Sequence, residues 1–178
     1  VVSTYNQVEY GIYTNKDYGN VRGLELKLDY NFENLFLQTN YTYQFTRGNA
    51  DNPSQTFNRQ GSSIDEVIRL IPMSWDQRHT FNLSLGYNTD RFGVSATGYY
   101  NSGTPYTFSP QGESNLALLN LYPNNDYIPS NYHADLSGYI YLPQIFGVKG
   151  KLDFIIYNLL DRYTEYGVSS ETGRAYTA

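Results

Sequence analysis

The side chains in this sequence that could carry chemistry fall into a few short clusters. Asp76, Arg78 and His79 place a carboxylate, a guanidinium and an imidazole just ahead of an alternating apolar segment. Such a set could hold an anion or move a proton. At the foot of a loop its simpler role is a network of ion pairs and hydrogen bonds that anchors the chain, and that reading is adopted. His133, Asp135 and Ser137 supply the residue types of a hydrolase triad on one side of a strand. Residues two apart on a strand rise ~6.6 Å, which argues against direct nucleophile–base contact, so ordinary polar wall residues are expected. Two distant histidines, 79 and 133, and no cysteine spell no metal site. Asn124-Asn125-Asp126 reads as a turn, because the ligand spacing of a calcium hand is missing. Tyr99, Tyr139, Tyr141 and Tyr157 share a polar side and could stack on a sugar or chelate, although such rings more often fill a wall. No catalytic residue and no cofactor is assigned, and the chain reads as something other than an enzyme.

The elements that must position these residues are strands. The chain has 178 residues, is 17% aromatic with 20 Tyr, and carries a net charge of -5 without a basic cluster, which excludes nucleic acid as partner. Tyr has high strand propensity and an amphipathic ring, so a β protein with many half-wet surfaces is expected. No apolar run approaches the ~18 residues of a spanning helix, a test that is blind to barrels whose strands need only ~9–11 alternating residues. The chain opens Val1-Val2-Ser3-Thr4, without the basic and apolar regions of a signal peptide.

Alternation with period two marks six clear strands. Leu24, Leu26, Leu28, Tyr30 and Phe32 oppose Glu25, Lys27, Asp29 and Asn31; Leu35 to Phe45, Phe81 to Tyr87 and Phe92 to Tyr100 repeat the pattern. Ala134 to Leu142 and Leu152 to Ile156 complete it, and a weaker seventh strand is expected around Tyr5 to Tyr13. A short helix is compatible with Asn115 to Tyr122. None of the apolar-face positions is Asp, Glu, Lys or Arg in a chain that is 16% charged, so one face must be dry. Arg22, Glu25, Lys27 and Asp29 read as mixed charges along the wet face.

Two features separate a soluble sandwich from a membrane barrel. Connections alternate strictly between short (Glu33-Asn34, Thr89-Asp90, Pro143 to Val148) and long (47–76, 103–130). This is the asymmetry of periplasmic turns and extracellular loops in outer-membrane barrels, and loops of that length are rare in compact soluble domains. Rings also flank aliphatics on the dry face, as Phe92 and Tyr100 flank Val94, Ala96 and Gly98. Phe92 to Tyr100 spans roughly 26 Å at ~3.3 Å per residue, or about 20 Å of depth at a tilt near 40°, close to the apolar band between two aromatic girdles.

Several runs resemble one family. Val21-Arg22-Gly23-Leu24-Glu25-Leu26 is similar to an "RG-E" strand, and Trp75-Asp76-Gln77-Arg78-His79-Thr80 to a "DQRHT" strand start, of TonB-dependent outer-membrane receptors. Asn101-Ser102-Gly103-Thr104-Pro105-Tyr106-Thr107 resembles a strand exit of the same family. Asn158-Leu159-Leu160-Asp161-Arg162-Tyr163 resembles its "NLFDKxY" signature, and Thr172-Gly173-Arg174-Ala175-Tyr176 the segment that follows. The matches run in family order along nearly the whole chain. The resemblance implies the C-terminal part of a barrel of about 22 strands, an N-terminal plug, contact with the TonB complex, and energy-coupled uptake of a scarce nutrient: siderophore, cobalamin, glycan or peptide. Residues 1–178 show no plug domain, no TonB box and no final strand ending in an aromatic residue.

The sequence therefore predicts an all-β protein: an antiparallel up-and-down transmembrane β-barrel segment of about seven strands, in the bacterial outer membrane. Its expected partners are outer-membrane lipid, the rest of the barrel and plug, TonB and an unknown nutrient. A passive porin or ligand-gated channel is the first alternative, followed by an outer-membrane hydrolase and a soluble Tyr-rich binding sandwich. Seven strands leave two bare edges whose unpaired amides would be prohibitive in hydrocarbon, so the strands are expected to meander within a larger barrel.

Overall fold

The computed structural model describes residues 2–5, 8–11, 17–52, 54–55, 69–109 and 123–177. Six long strands form one antiparallel sheet: β3 (Gly19–Phe32), β4 (Leu35–Gly48), β6 (His79–Asn88), β7 (Phe92–Asn101), β10 (Asn131–Tyr141) and β11 (Lys151–Ile156). Their order across the sheet is β3-β4-β6-β7-β10-β11, and a short β5 (Ile71–Pro72) adds to the end of β4. Among the six long strands every neighbour is the next in sequence. Two-residue strands β8 (Pro105–Tyr106) and β9 (Asp126–Tyr127) pair inside the second long connection; β12 (Glu165–Val168) pairs with β13 (Ala175–Thr177). The proposed helix at Asn115 to Tyr122 lies outside the described residues.

Because strand side chains alternate, a one-residue slip between any two neighbours would mix the faces. The register avoids this at every junction. Leu26 faces Tyr41, Tyr41 faces Phe81, Phe81 faces Tyr100, and Tyr100 faces Tyr132. Tyr30, Leu37, Leu85, Ala96, Leu136 and Ile156 form another row across all six strands. On the reverse face, Lys27, Asn40, Asn82, Tyr99 and His133 are aligned in the same way. Period-two patterning and pairing thus produce one continuous apolar face and one continuous polar face. At two junctions a ring lies over a glycine: Phe36 over Gly86 on the polar face, and Phe154 over Gly138 on the apolar face.

No second layer covers the apolar face among the described residues. Leu24, Leu26, Leu28 and Phe32 are 55%, 55%, 52% and 58% exposed, and Leu85, Val94, Ile140 and Phe154 are exposed as well. A sandwich would bury these residues against a facing sheet about 10 Å away. The described residues do not close into a barrel, and the outer edges of β3 and β11 have no strand partner among them. Among the described residues the only buried hydrophobic ones are Ile71 and Met73, at the base of the first long connection.

The structure corrects two expectations. In place of a single seventh strand around Tyr5 to Tyr13 there are two four-residue strands, β1 (Val2–Tyr5) and β2 (Val8–Gly11). They pair with each other, Val2 opposite Gly11 and Tyr5 opposite Val8, so a local hairpin satisfies their amides. Arg22 is not on the wet face with Glu25, Lys27 and Asp29. It stands opposite Phe45, two residues from Leu24, which puts it on the apolar face.

Candidate functional site: the base of the long loops

The best-packed part of the molecule is the end of the sheet where both long connections begin and return. Here the chain leaves β4 at Gly48 and rejoins the sheet at β6, and leaves β7 to rejoin at β10. Asp76 sits at its centre with 0% exposure. Its Oδ1 accepts the Thr46 amide at 2.6 Å; its Oδ2 accepts Arg78 Nε at 2.9 Å and the Tyr127 hydroxyl at 3.1 Å. Arg78 Nη2 donates in turn to the Tyr127 oxygen at 2.8 Å, and its guanidinium lies 4.5 Å from the centre of the Phe45 ring. A buried carboxylate is tolerable only with such a complement of donors.

The electrostatics fit that enclosure. Burial pushes the Tyr127 hydroxyl above its ordinary pKa, with the Asp76 charge and hydrogen bond adding to the rise and Arg78 opposing it. Burial alone would lower Arg78, but its bond to Asp76 and the charges of Tyr127 and Asp76 outweigh this and hold it above its ordinary value. The site therefore keeps Arg78 a cation and Tyr127 a neutral phenol at neutral pH. Every oxygen of Asp76 is committed to a structural donor, leaving no lone carboxylate poised for proton transfer.

A second network joins the two long connections to each other. Asn124, nearly buried and in the left-handed region at φ 58°, donates its Nδ2 to Pro72 O at 2.9 Å and to Asp51 Oδ2 at 3.1 Å. Asp51 also accepts the Ser74 amide at 2.8 Å. Asn125 clamps both the amide and the carbonyl of Phe108, at 2.7 and 2.9 Å. The Asn124-Asn125-Asp126 run is thus a turn in which Asn124 splices one loop to the other, while Asn125 ties together the two arms of the second. Gly103 lets the two arms of the second loop approach each other: a Cβ built there would collide with the carbonyl oxygen of Ile128, whose amide bonds Thr104 O at 3.0 Å.

The residues singled out in the sequence fare differently. Asp76 and Arg78 form the expected loop-base network. His79 stands apart from it: its Nδ1 meets the Tyr41 hydroxyl at 2.8 Å, and its ring packs on Tyr41 and Tyr43. His133 and Asp135 come closer than strand spacing suggested, with Nε2 and Oδ1 2.8 Å apart, because both side chains lean along the strand. Ser137 is not with them; its Oγ pairs with Ser95 Oγ at 2.8 Å. The Asp135 carboxylate also takes the Asn158 amide at 2.8 Å. Among the described residues no nucleophile is aligned with this pair.

The four tyrosines do not converge. Tyr99 stacks on His133 towards the long-loop end, whereas Tyr139 and Tyr141 meet edge to face at the short-turn end beside Lys151. Tyr157 is 71% exposed at the end of β11. Among the described residues no cluster of His, Cys, Asp and Glu could hold a metal ion. The roles of Tyr127, Asp51 and Asn124 escaped the sequence reading, because no local pattern links positions separated by an entire loop. Compared with known proteins, the chain matches no family model, no curated protein and no solved structure.

Proposed function

We propose that this chain is part of an outer-membrane β-barrel receptor that imports a scarce nutrient, coupled through TonB to the inner-membrane proton gradient. The observation that carries the membrane reading is the unbroken apolar face of a single-layer sheet. Half-exposing a large apolar side chain forfeits roughly 1 kcal/mol. Residues from Leu24 to Ile156 repeat that loss across all six strands, on the order of 15 kcal/mol in total, as much as a whole domain's stability. Lipid removes the loss without requiring a second protein layer. Rings at both ends of that face, Tyr30, Phe32, Tyr87 and Phe92 at one and Tyr41, Tyr43, Phe81, Tyr100 and Tyr132 at the other, suit two interfacial girdles.

The transport reading is supported by the family-like runs and by the work their residues do. In the Asp76-to-Thr80 run, Asp76 and Arg78 lock the loop base. In the Asn158-to-Tyr163 run, Asn158 Oδ1 accepts the Arg162 amide at 3.0 Å and its Nδ2 donates to Arg162 O at 3.1 Å, closing a tight turn. Long loops tied together at their roots suit a ligand vestibule better than a passive pore mouth. The nutrient class stays as broad as the sequence leaves it: siderophore, cobalamin, glycan or peptide.

The test places one arginine on each face. Leu85→Arg, on the apolar face, should cost roughly 2–4 kcal/mol of folding stability in lipid vesicles, whereas its neighbour Ser84→Arg should cost under about 1 kcal/mol. Equal costs would refute the membrane reading. Uptake that persists after collapse of the proton gradient would refute the energy-coupled one.

A further inference from the structure

On the strand positions of the apolar face there are only two formal charges, and both are arginines. Arg22 stands opposite Phe45 and Arg47 opposite Asn20, so the two are diagonal neighbours across β3 and β4. No Asp or Glu occupies any strand position on that face. Both lie at the long-loop end, directly beyond the strip of Leu24, Leu26 and Leu28. Together with Asn20, Phe45 and Leu70 they line a cleft of ≈310 Å³. The Asn20 carboxamide accepts Arg22 Nε at 3.0 Å, which steers that guanidinium. Two like charges placed side by side above an apolar wall repel each other unless an anion joins them.

We propose that this cleft binds the phosphate-bearing headgroup of an outer-leaflet lipid, whose acyl chains lie along Leu24, Leu26 and Tyr43. The inference rests on the membrane reading above. Guanidinium forks match phosphate oxygens in geometry and charge. The position of the pair, at the edge of the apolar band and on the long-loop side, is where the phosphates of an outer-leaflet lipid lie relative to its chains. Arginines that only anchor the strand by reaching for water would serve any headgroup alike; a phosphate clamp discriminates.

The experiment uses the full-length receptor in detergent, with bis-phosphorylated lipid A and its dephosphorylated form as probes and native mass spectrometry as readout. The phosphorylated lipid should bind, the dephosphorylated form should bind at least tenfold more weakly, and Arg22→Gln/Arg47→Gln should lose roughly ten- to hundredfold in affinity. Lys27→Gln, on the opposite face, should leave binding unchanged. If the double variant does not fold, Arg47→Gln alone should still show a clear loss, since Arg47 is exposed at the strand end. Equal affinity of variant and wild type, or of the two lipids, would overturn the proposal. Competition by millimolar inorganic phosphate would also overturn it, by showing a site for free anions. Failure of the membrane reading itself would register separately, as equal costs for Leu85→Arg and Ser84→Arg.

Discussion

Replacing Asp76 with alanine removes one carboxylate and strands three donors: the Thr46 amide, the Tyr127 hydroxyl and the Arg78 guanidinium. Breaking a buried pair from one side costs about 3–5 kcal/mol. The Arg78 side chain retains 27% exposure, so water recovers part of its loss, and a figure near the lower end, about 3 kcal/mol, is expected. This cost falls on the loop base, because nothing in the middle of the sheet touches Asp76. The measurement is peptide-resolved amide exchange on the full-length protein in micelles. At about 1.4 kcal/mol per tenfold, local opening should rise about a hundredfold. It should appear at the Thr46, Met73 and Gln44 amides, which bond across this junction. Exchange in the central parts of β6 and β7 should not change. Asp76→Asn keeps an acceptor for Thr46 and should fall between the two. Unchanged protection at Thr46, or equal loss in the strands and the loop base, would refute the argument.

Gly103→Ala should be as damaging, at about 3 kcal/mol, because the new methyl would meet the Ile128 carbonyl rather than a mobile side chain; limited proteolysis of the second long loop reads it. On the proposed membrane topology, cysteines at Asn52 and Trp75 should react with a membrane-impermeant thiol reagent on intact cells, and cysteines at Asp90 and Gln144 should not, the reverse pattern inverting that topology. The Tyr127 hydroxyl has a folded pKa raised above its ordinary 10.0, so its contribution is complete below pH 10 and fades as pH climbs through the folded value. Loop-base protection followed upwards from pH 9 should decline accordingly, and Tyr127→Phe should remove that component.

Much of this architecture is local and therefore legible in the sequence. Leu24-Glu25-Leu26-Lys27-Leu28 states its two faces by parity alone, and the bounds of all six long strands follow from the same rule to within five residues. Asp76 and Arg78 could be picked out because their partnership spans two residues. Tertiary structure decided what parity cannot reach. Pairing register set Arg22 and Arg47 side by side across two strands and aligned Tyr41, Phe81, Tyr100 and Tyr132 in one row. Two short strands, β1 and β2, stand where one was expected, and their pairing with each other is a contact that alternation along one strand does not state. The ties from Asp76 to Tyr127 and from Asn124 to Asp51 cross 51 and 73 residues of chain. Side-chain alternation is a property of one strand, whereas register and loop-to-loop hydrogen bonds are properties of strands brought together, so they could only be read from the folded chain.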